Sequence, residues 1–175
     1  AHFVYELLQN AEDAGATEVS FSLTPDRLVC EHDGRVFTLE DVKSITGLHD
    51  STKAQAEDKI GKFGVGFKSV FVYTSAPSIY SGDFAFRVVQ LILPEPIAAA
   101  PRAQRTRFEF PFDNPKKPKA DAYAEIAAGL KELDEKTLLF LTNLQSVKWR
   151  VGAETTGAVR RLKHADFHFE VLKEI

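Results

Sequence analysis

Glu6, Asn10 and Asp13 stand at i, i+4 and i+7 of a stretch whose Phe3, Val4, Leu7, Leu8, Ala11 and Ala14 fall on one helical arc. At 100° per residue the three polar side chains form a stripe bordering that arc. A carboxamide beside a carboxylate at a core margin suits a metal-bound ligand that water attacks. The amide oxygen can ligate Mg²⁺, and the carboxylate can orient and deprotonate the water. The same stripe also fits a solvated helix face. Gln9 and Glu12 are expected to point farther out, toward solvent.

Two further places carry comparable potential. Asp33-Gly34 follows an apolar run, and a carboxylate at a strand end can accept from an exocyclic amine, the mark of adenine; an ordinary Asp-Gly turn fits as well. In Ile60-Gly61-Lys62-Phe63-Gly64-Val65-Gly66-Phe67-Lys68-Ser69, three glycines precede a helical pattern, so backbone N–H groups can crowd a phosphate at a positive helix end. A P-loop requires Lys and Ser/Thr directly after its glycine, yet Phe67 separates Gly66 from Lys68. The dinucleotide fingerprint fails where Ser69 replaces its third glycine. A glycine-rich helix start means little alone; its place after the other two sites gives it weight.

Taken together, these segments resemble the gyrase, heat-shock chaperone, histidine kinase and MutL superfamily, in its sacsin-type branch. Glu6 to Ala16 resembles the first motif of that superfamily, Gly61 to Phe67 its chaperone-type glycine motif, and Ala76 to Asp83 the segment that follows it in sacsin-like chains. The resemblance spans roughly the first half of the chain, and Thr106 fits the final adenine-contacting motif loosely. It implies a Bergerat-type ATP site in which Glu6 is the general base and Asn10 the Mg²⁺ ligand. Asp33 would meet the adenine amine, and Gly64 and Gly66 the phosphates. Residues 46–60 would be the ATP lid, with Lys53 reaching a phosphate. Asp13, Gly61, Val65, Phe67 and Thr106 complete the implied ATP/ADP contacts. Two departures stand out. Arg35 and Phe37 occupy places where the second motif carries glycines, and Arg105 replaces the glycine before Thr106.

Positioning such a site calls for mixed elements. Residues 2–14 read as an amphipathic helix ended by Gly15. Val19, Phe21 and Leu23 alternate as a half-buried strand, followed by Leu28 to Cys30. Thr38-Leu39-Glu40-Asp41 resembles a capping box, opening a short helix with Val42 and Ile45. Residues 46–60 offer little to bury, and Phe67, Val70 and Phe71 fit a helix. Ile79-Tyr80, Phe84 to Leu93, and Phe108 with Phe110 and Phe112 read as strands, and the Pro/Ala-rich residues 94–104 as a linker. Tyr123 to Leu133 reads as a helix capped by Asp121. Leu138 to Leu141, Val147 to Val151 and Phe167 to Leu172 read as strands. The expected fold is α+β: a two-layer sandwich of a mixed, mostly antiparallel sheet with helices on one face.

With 175 residues, 44% hydrophobic and 27% charged, the chain suits one domain, 1–175. It opens inside a helical pattern, so it reads as a piece of a longer protein. A net charge of −3 argues against nucleic acid held by bulk electrostatics. The single Cys30 suits a reducing, cytoplasmic setting, and no apolar span is long enough for a bilayer. His164 and His168 lack a third ligand for zinc, and Lys116, Lys117 and Lys119 fit a solvated loop. The motifs and the resemblance they carry imply Mg²⁺-dependent ATP binding with slow hydrolysis that drives conformational change in a larger protein. The partners would be nucleotide, the rest of the parent chain and a protein client. A non-hydrolysing switch and a degenerate interaction module fit the same residues; a histidine-kinase domain fits the glycine motif less well.

Overall fold

The structure, a computed structural model, describes residues 2–46, 67–153, 155–165 and 168–175. It is an α+β fold built on one nine-stranded sheet: β1 (Glu18–Leu23), β2 (Arg27–His32), β3 (Ser78–Gly82), β4 (Phe84–Val89), β5 (Leu93–Pro96), β6 (Ala103–Pro111), β7 (Ser146–Val151), β8 (Thr155–Ala165) and β9 (His168–Glu174). Their spatial order is β5-β4-β3-β6-β2-β1-β7-β8-β9, and only the β1–β7 pairing is parallel.

Period-two alternation sends one set of side chains inward, and registry stacks them into rows across the strands. One row runs Phe110, Leu28, Leu23 and Val151; the next runs Phe108, Cys30, Phe21 and Trp149. The third runs Thr106, His32, Val19 and Val147, so a single end of this inner face is polar. All twelve side chains are buried. The outer faces of the same strands carry charge instead: Arg105 pairs with Glu18 at 2.8 Å and with Glu31 at 3.0 Å.

Helix α1 (His2–Asp13) lies on the inner face. Its Phe3 ring meets Phe110, centroids 6.5 Å apart, while its last turn meets the chain just beyond His32. It therefore runs from an apolar row toward the polar one. Gly15, at φ 72°, ends it in a Schellman arrangement, with Ala16 N donating to Ala11 O and Gly15 N to Glu12 O, both at 2.9 Å. Thr38 and Asp41 exchange hydrogen bonds at the start of α2 (Leu39–Thr46), as their spacing suggested. The third helix, α3 (Lys119–Lys131), contacts α1 and β1.

Several expectations need correction. Phe84 to Leu93 is not continuous strand. Gln90 and Leu91 take positive φ and turn the chain back, so the first part of the supposed linker becomes β5. This is an edge strand, where Pro94 and Pro96 cost little because an edge leaves donors unpaired anyway. Asp121 lies in the first turn of α3, and Pro118 is the N-cap. Residues 138–141 are not a strand. Asp134 accepts from Lys136 N at 2.9 Å and starts a 3₁₀ turn, Glu135–Leu138, a local bond that competes with extended backbone. The stretch after Gly66 is likewise a 3₁₀ helix, Phe67–Val72. Strand β8 was not read from the sequence: its Thr, Gly, Ala and Arg residues show no clean alternation.

Gly157 in β8 faces Trp149 across the β7 pairing, and a β-carbon there would stand 2.3 Å from the indole ring. Because that ring is buried within a row, it cannot simply swing out. Gly157→Ala is expected to destabilise the fold by about 1–3 kcal/mol, the usual cost of overpacking. Chemical denaturation should show the lower midpoint, and an unchanged midpoint would mean that the ring repacks freely.

Candidate functional site

The polar end of the inner face is where α1, β2, β3 and β6 converge. Two backbone contacts fix the approach of α1: Arg35 N donates to Ala14 O at 2.8 Å, and an Arg35 guanidinium nitrogen donates to Asp13 O at 3.1 Å. Gly34 fits between them only without a side chain, since a β-carbon would meet Ala14 O at 2.8 Å. Asn10 lies one helical turn before Ala14, and His32 two residues before Gly34. Both are buried, 4% and 1% exposed, and both keep an unpartnered buried atom, Asn10 Nδ2 and His32 Nε2. Buried polar atoms without partners are uncommon in folded chains, and each costs about 1–3 kcal/mol.

His32 Nδ1 accepts from Gly34 N at 3.0 Å, so the neutral ring carries its proton on Nε2. Burial pushes its pKa down to about 4, with Asp33 opposing and Arg105 assisting. Across the β2–β6 pairing stands Thr106, fully buried, whose hydroxyl lies 2.6 Å from that of Ser81. Ser81 in turn accepts from Phe37 N at 2.7 Å.

Asp33 turns its carboxylate to the α1–β1 junction. It accepts from Thr17 N at 2.8 Å, Thr17 Oγ1 at 2.5 Å and Glu18 N at 3.0 Å. Partial burial works against the charge, but these bonds prevail and hold its pKa below the usual carboxylate range. Three of about four acceptor positions on a carboxylate are thereby used, leaving roughly one for a ligand.

The stripe on α1 is only partly as expected. Glu6 is half-buried and lies 3.3 Å from His2 Nε2. Asp13 is exposed and accepts from Gln9 Nε2 at 2.9 Å; desolvation raises its pKa, the Gln9 bond opposes this, and neighbouring Glu12 adds to it. Glu12 overturns its solvent-facing assignment. It is buried and accepts from Asn143 N at 2.6 Å, Leu144 N at 2.9 Å and Thr142 Oγ1 at 3.1 Å. A helical wheel cannot reveal a loop arriving from 130 residues away to cover that face. Its three donors make Glu12 a clamp for residues 142–144.

Phe67 is buried, its ring 5.8 Å from that of Phe108 and 6.1 Å from that of Phe110. Lys53, Gly61, Gly64, Val65, Gly66 and the lid segment 47–60 lie outside the described residues. The two glycine departures resolve differently. Strand alternation places Arg105 among the outer-face carboxylates, away from Thr106. Phe37 instead enters the core, 6.1 Å from Phe108 and 6.4 Å from Phe86 between ring centroids. His32 was missed at the sequence level; its in-register place after Leu28 and Cys30 was the available signal.

Residues 25–99 match the family model described as the Sacsin domain. That segment holds β2 to β5 and the Asp33 turn, and it leaves α1 outside. Over 95 residues the chain is 38% identical to Sacsin from Homo sapiens, covering 45% of this chain and 2% of that protein. Over 92 residues it is 36% identical to Protein NO VEIN from Arabidopsis thaliana, covering 50% of this chain and 3% of that one. The chain thus spans a small fraction of these relatives. Among solved structures, the N-terminal domain of a DNA repair protein superposes with a TM-score of 0.55 over 87% of this chain and 52% of the other, at 14% identity. This likeness extends to the fold alone. No helix among the described residues is long and apolar enough to cross a membrane.

The buried imidazole makes stability depend on pH. Unfolded, it titrates near 6.5; folded, near 4. Between these values the unfolded chain binds more protons, so stability present above pH 6.5 is lost as pH falls toward 4. Denaturation midpoints measured across this window should fall more steeply for the parent than for His32→Gln. Parallel curves would remove His32 as the source.

Proposed function

We propose that the chain binds ATP or ADP with magnesium at the polar end of its inner face and hydrolyses ATP slowly, driving conformational change in a longer protein. The observation that carries this reading is the pair of buried, unpartnered polar atoms, Asn10 Nδ2 and His32 Nε2, at the polar end of the inner face. Polar atoms kept buried at such cost suit a ligand with its own donors and acceptors. The motif order, first helix then Asp33 then the glycine stretch, supplies the second support.

Asn10 fits a magnesium ligand through its side-chain oxygen, a hard donor held on a rigid helix. A bound magnesium ion would offset phosphate charge there. Glu6 lies one turn earlier at the helix margin, where it can hold a water and take its proton as the water oxygen bonds to the γ-phosphorus and the bond to the ADP oxygen breaks. Asp33 offers its remaining acceptor position to the adenine amine, and Thr106 a hydroxyl. Gly64 and Gly66 would supply backbone donors to the phosphates, with residues 46–60 as the lid.

Titration calorimetry with ATP and ADP, with and without magnesium, tests the reading. Asn10→Ala is expected to weaken magnesium-dependent binding more than metal-free binding; equal affinity of variant and parent in both conditions would exclude Asn10 as a ligand. General-base assistance contributes about 10² to 10⁴ in rate. Glu6→Gln should therefore abolish phosphate release while ATP affinity is preserved. Turnover at the parental rate in Glu6→Gln would falsify the enzymatic step, and binding without turnover in the parent would define a switch.

A further inference from the structure

The reading above assigns His32 no contact with the nucleotide, yet its ring is tightly constrained. Gly34 N occupies Nδ1 at 3.0 Å, so Nε2 must present a proton, and no described residue receives it. The ring cannot turn to solvent, being 1% exposed and 6.1 Å from the Phe108 ring between centroids. Burial keeps it neutral at physiological pH, so it offers one directed donor and no positive charge for a phosphate. Its neighbours are Asp33, which follows it in sequence and has an acceptor position to spare, and Thr106, its cross-strand partner.

A donor beside an acceptor has a specific complement. Adenine presents its exocyclic amine, a donor, flanked by ring nitrogens N1 and N7, both acceptors. Guanine presents a carbonyl oxygen at the place of the amine, which Asp33 would repel. We propose that His32 donates from Nε2–H to a ring nitrogen of the purine and, with Asp33, sets selectivity for adenine. This inference rests on the nucleotide reading.

A thermodynamic cycle isolates the contact. ATP, 1-deaza-ATP and 7-deaza-ATP, the last two with one ring nitrogen replaced by C–H, are titrated into the full chain and into His32→Phe. The parent should lose roughly tenfold or more in affinity for one of the two analogues, on the scale of a buried hydrogen bond. His32→Phe should lose about as much for ATP and show no further penalty for that analogue. His32→Gln keeps a donor near the Nε2 position and should recover part of the ATP affinity; it also serves if the Phe variant does not fold. In the parent, the ¹⁵N–¹H signal of His32 Nε2 should shift on saturation with ATP. ATP binding by His32→Phe at parental affinity, undiminished penalties for both analogues in the variant, or an unmoved Nε2 signal overturns the inference while leaving nucleotide binding intact. A parent that binds no ATP overturns the nucleotide reading itself.

Discussion

Helix α1 can reach the sheet at its polar end only because Gly34 has no β-carbon. Ala14 occupies that space, with its own β-carbon 2.9 Å from where one on Gly34 would lie. Everything at the site follows from this approach. It lets Arg35 satisfy two carbonyls at the helix end. It also leaves Asp33 free to gather the Thr17 and Glu18 amides where α1 passes into β1. The Asp-Gly pair therefore works as a structural joint, whatever else the carboxylate contacts. A larger residue at 34 would displace the helix that carries Glu6 and Asn10.

The sheet divides labour between its faces by simple alternation. Outward, carboxylates and guanidiniums pair: Arg107 meets Glu109 at 3.3 Å and covers the Tyr80 ring at 4.7 Å. Exposed pairs of this kind add little stability, typically below about 1 kcal/mol each, so their main effect is to keep the outer face polar. Inward, two rows are apolar and one is not. Phe67, Phe108 and Phe110 lie within about one ring diameter of each other and close the apolar rows. The polar row thus begins at an aromatic wall, which limits water around His32 and accounts for the depressed basicity of its imidazole.

Much of this was legible in the sequence, for local reasons. The first helix, its glycine stop, strands β1, β2 and β7, the Thr38–Asp41 cap and the aromatic alternation of β6 all rest on periodicity or short-range bonds. What escaped depended on distant chain. Glu12 looks solvent-facing until residues 142–144 arrive, and β8 has too mixed a composition to show its pairing with β7. The hairpin at 90–92 uses positive φ at Gln90 and Leu91, which neither residue type advertises. At the site, Asn10 and Asp33 were visible as residue types in order. The alternation with Leu28 and Cys30 marks His32 as inward-facing, but its unpaired nitrogen shows only in the folded chain.

The parallel pairing of β1 with β7 joins residues 18–23 to residues 146–151, and Glu12 waits on the same region for its three donors. Synthesis proceeds from the N-terminus. While the ribosome is still translating α3, one edge of β1 stands open and a carboxylate destined for burial has no partner. Unpaired strand edges of this sort invite wrong pairings, and closing so long a loop is slow. The interval before residue 151 clears the exit tunnel is therefore when this fold is most exposed to misassembly, and the first helix, which carries the candidate catalytic residues, is among the last parts to be locked in place.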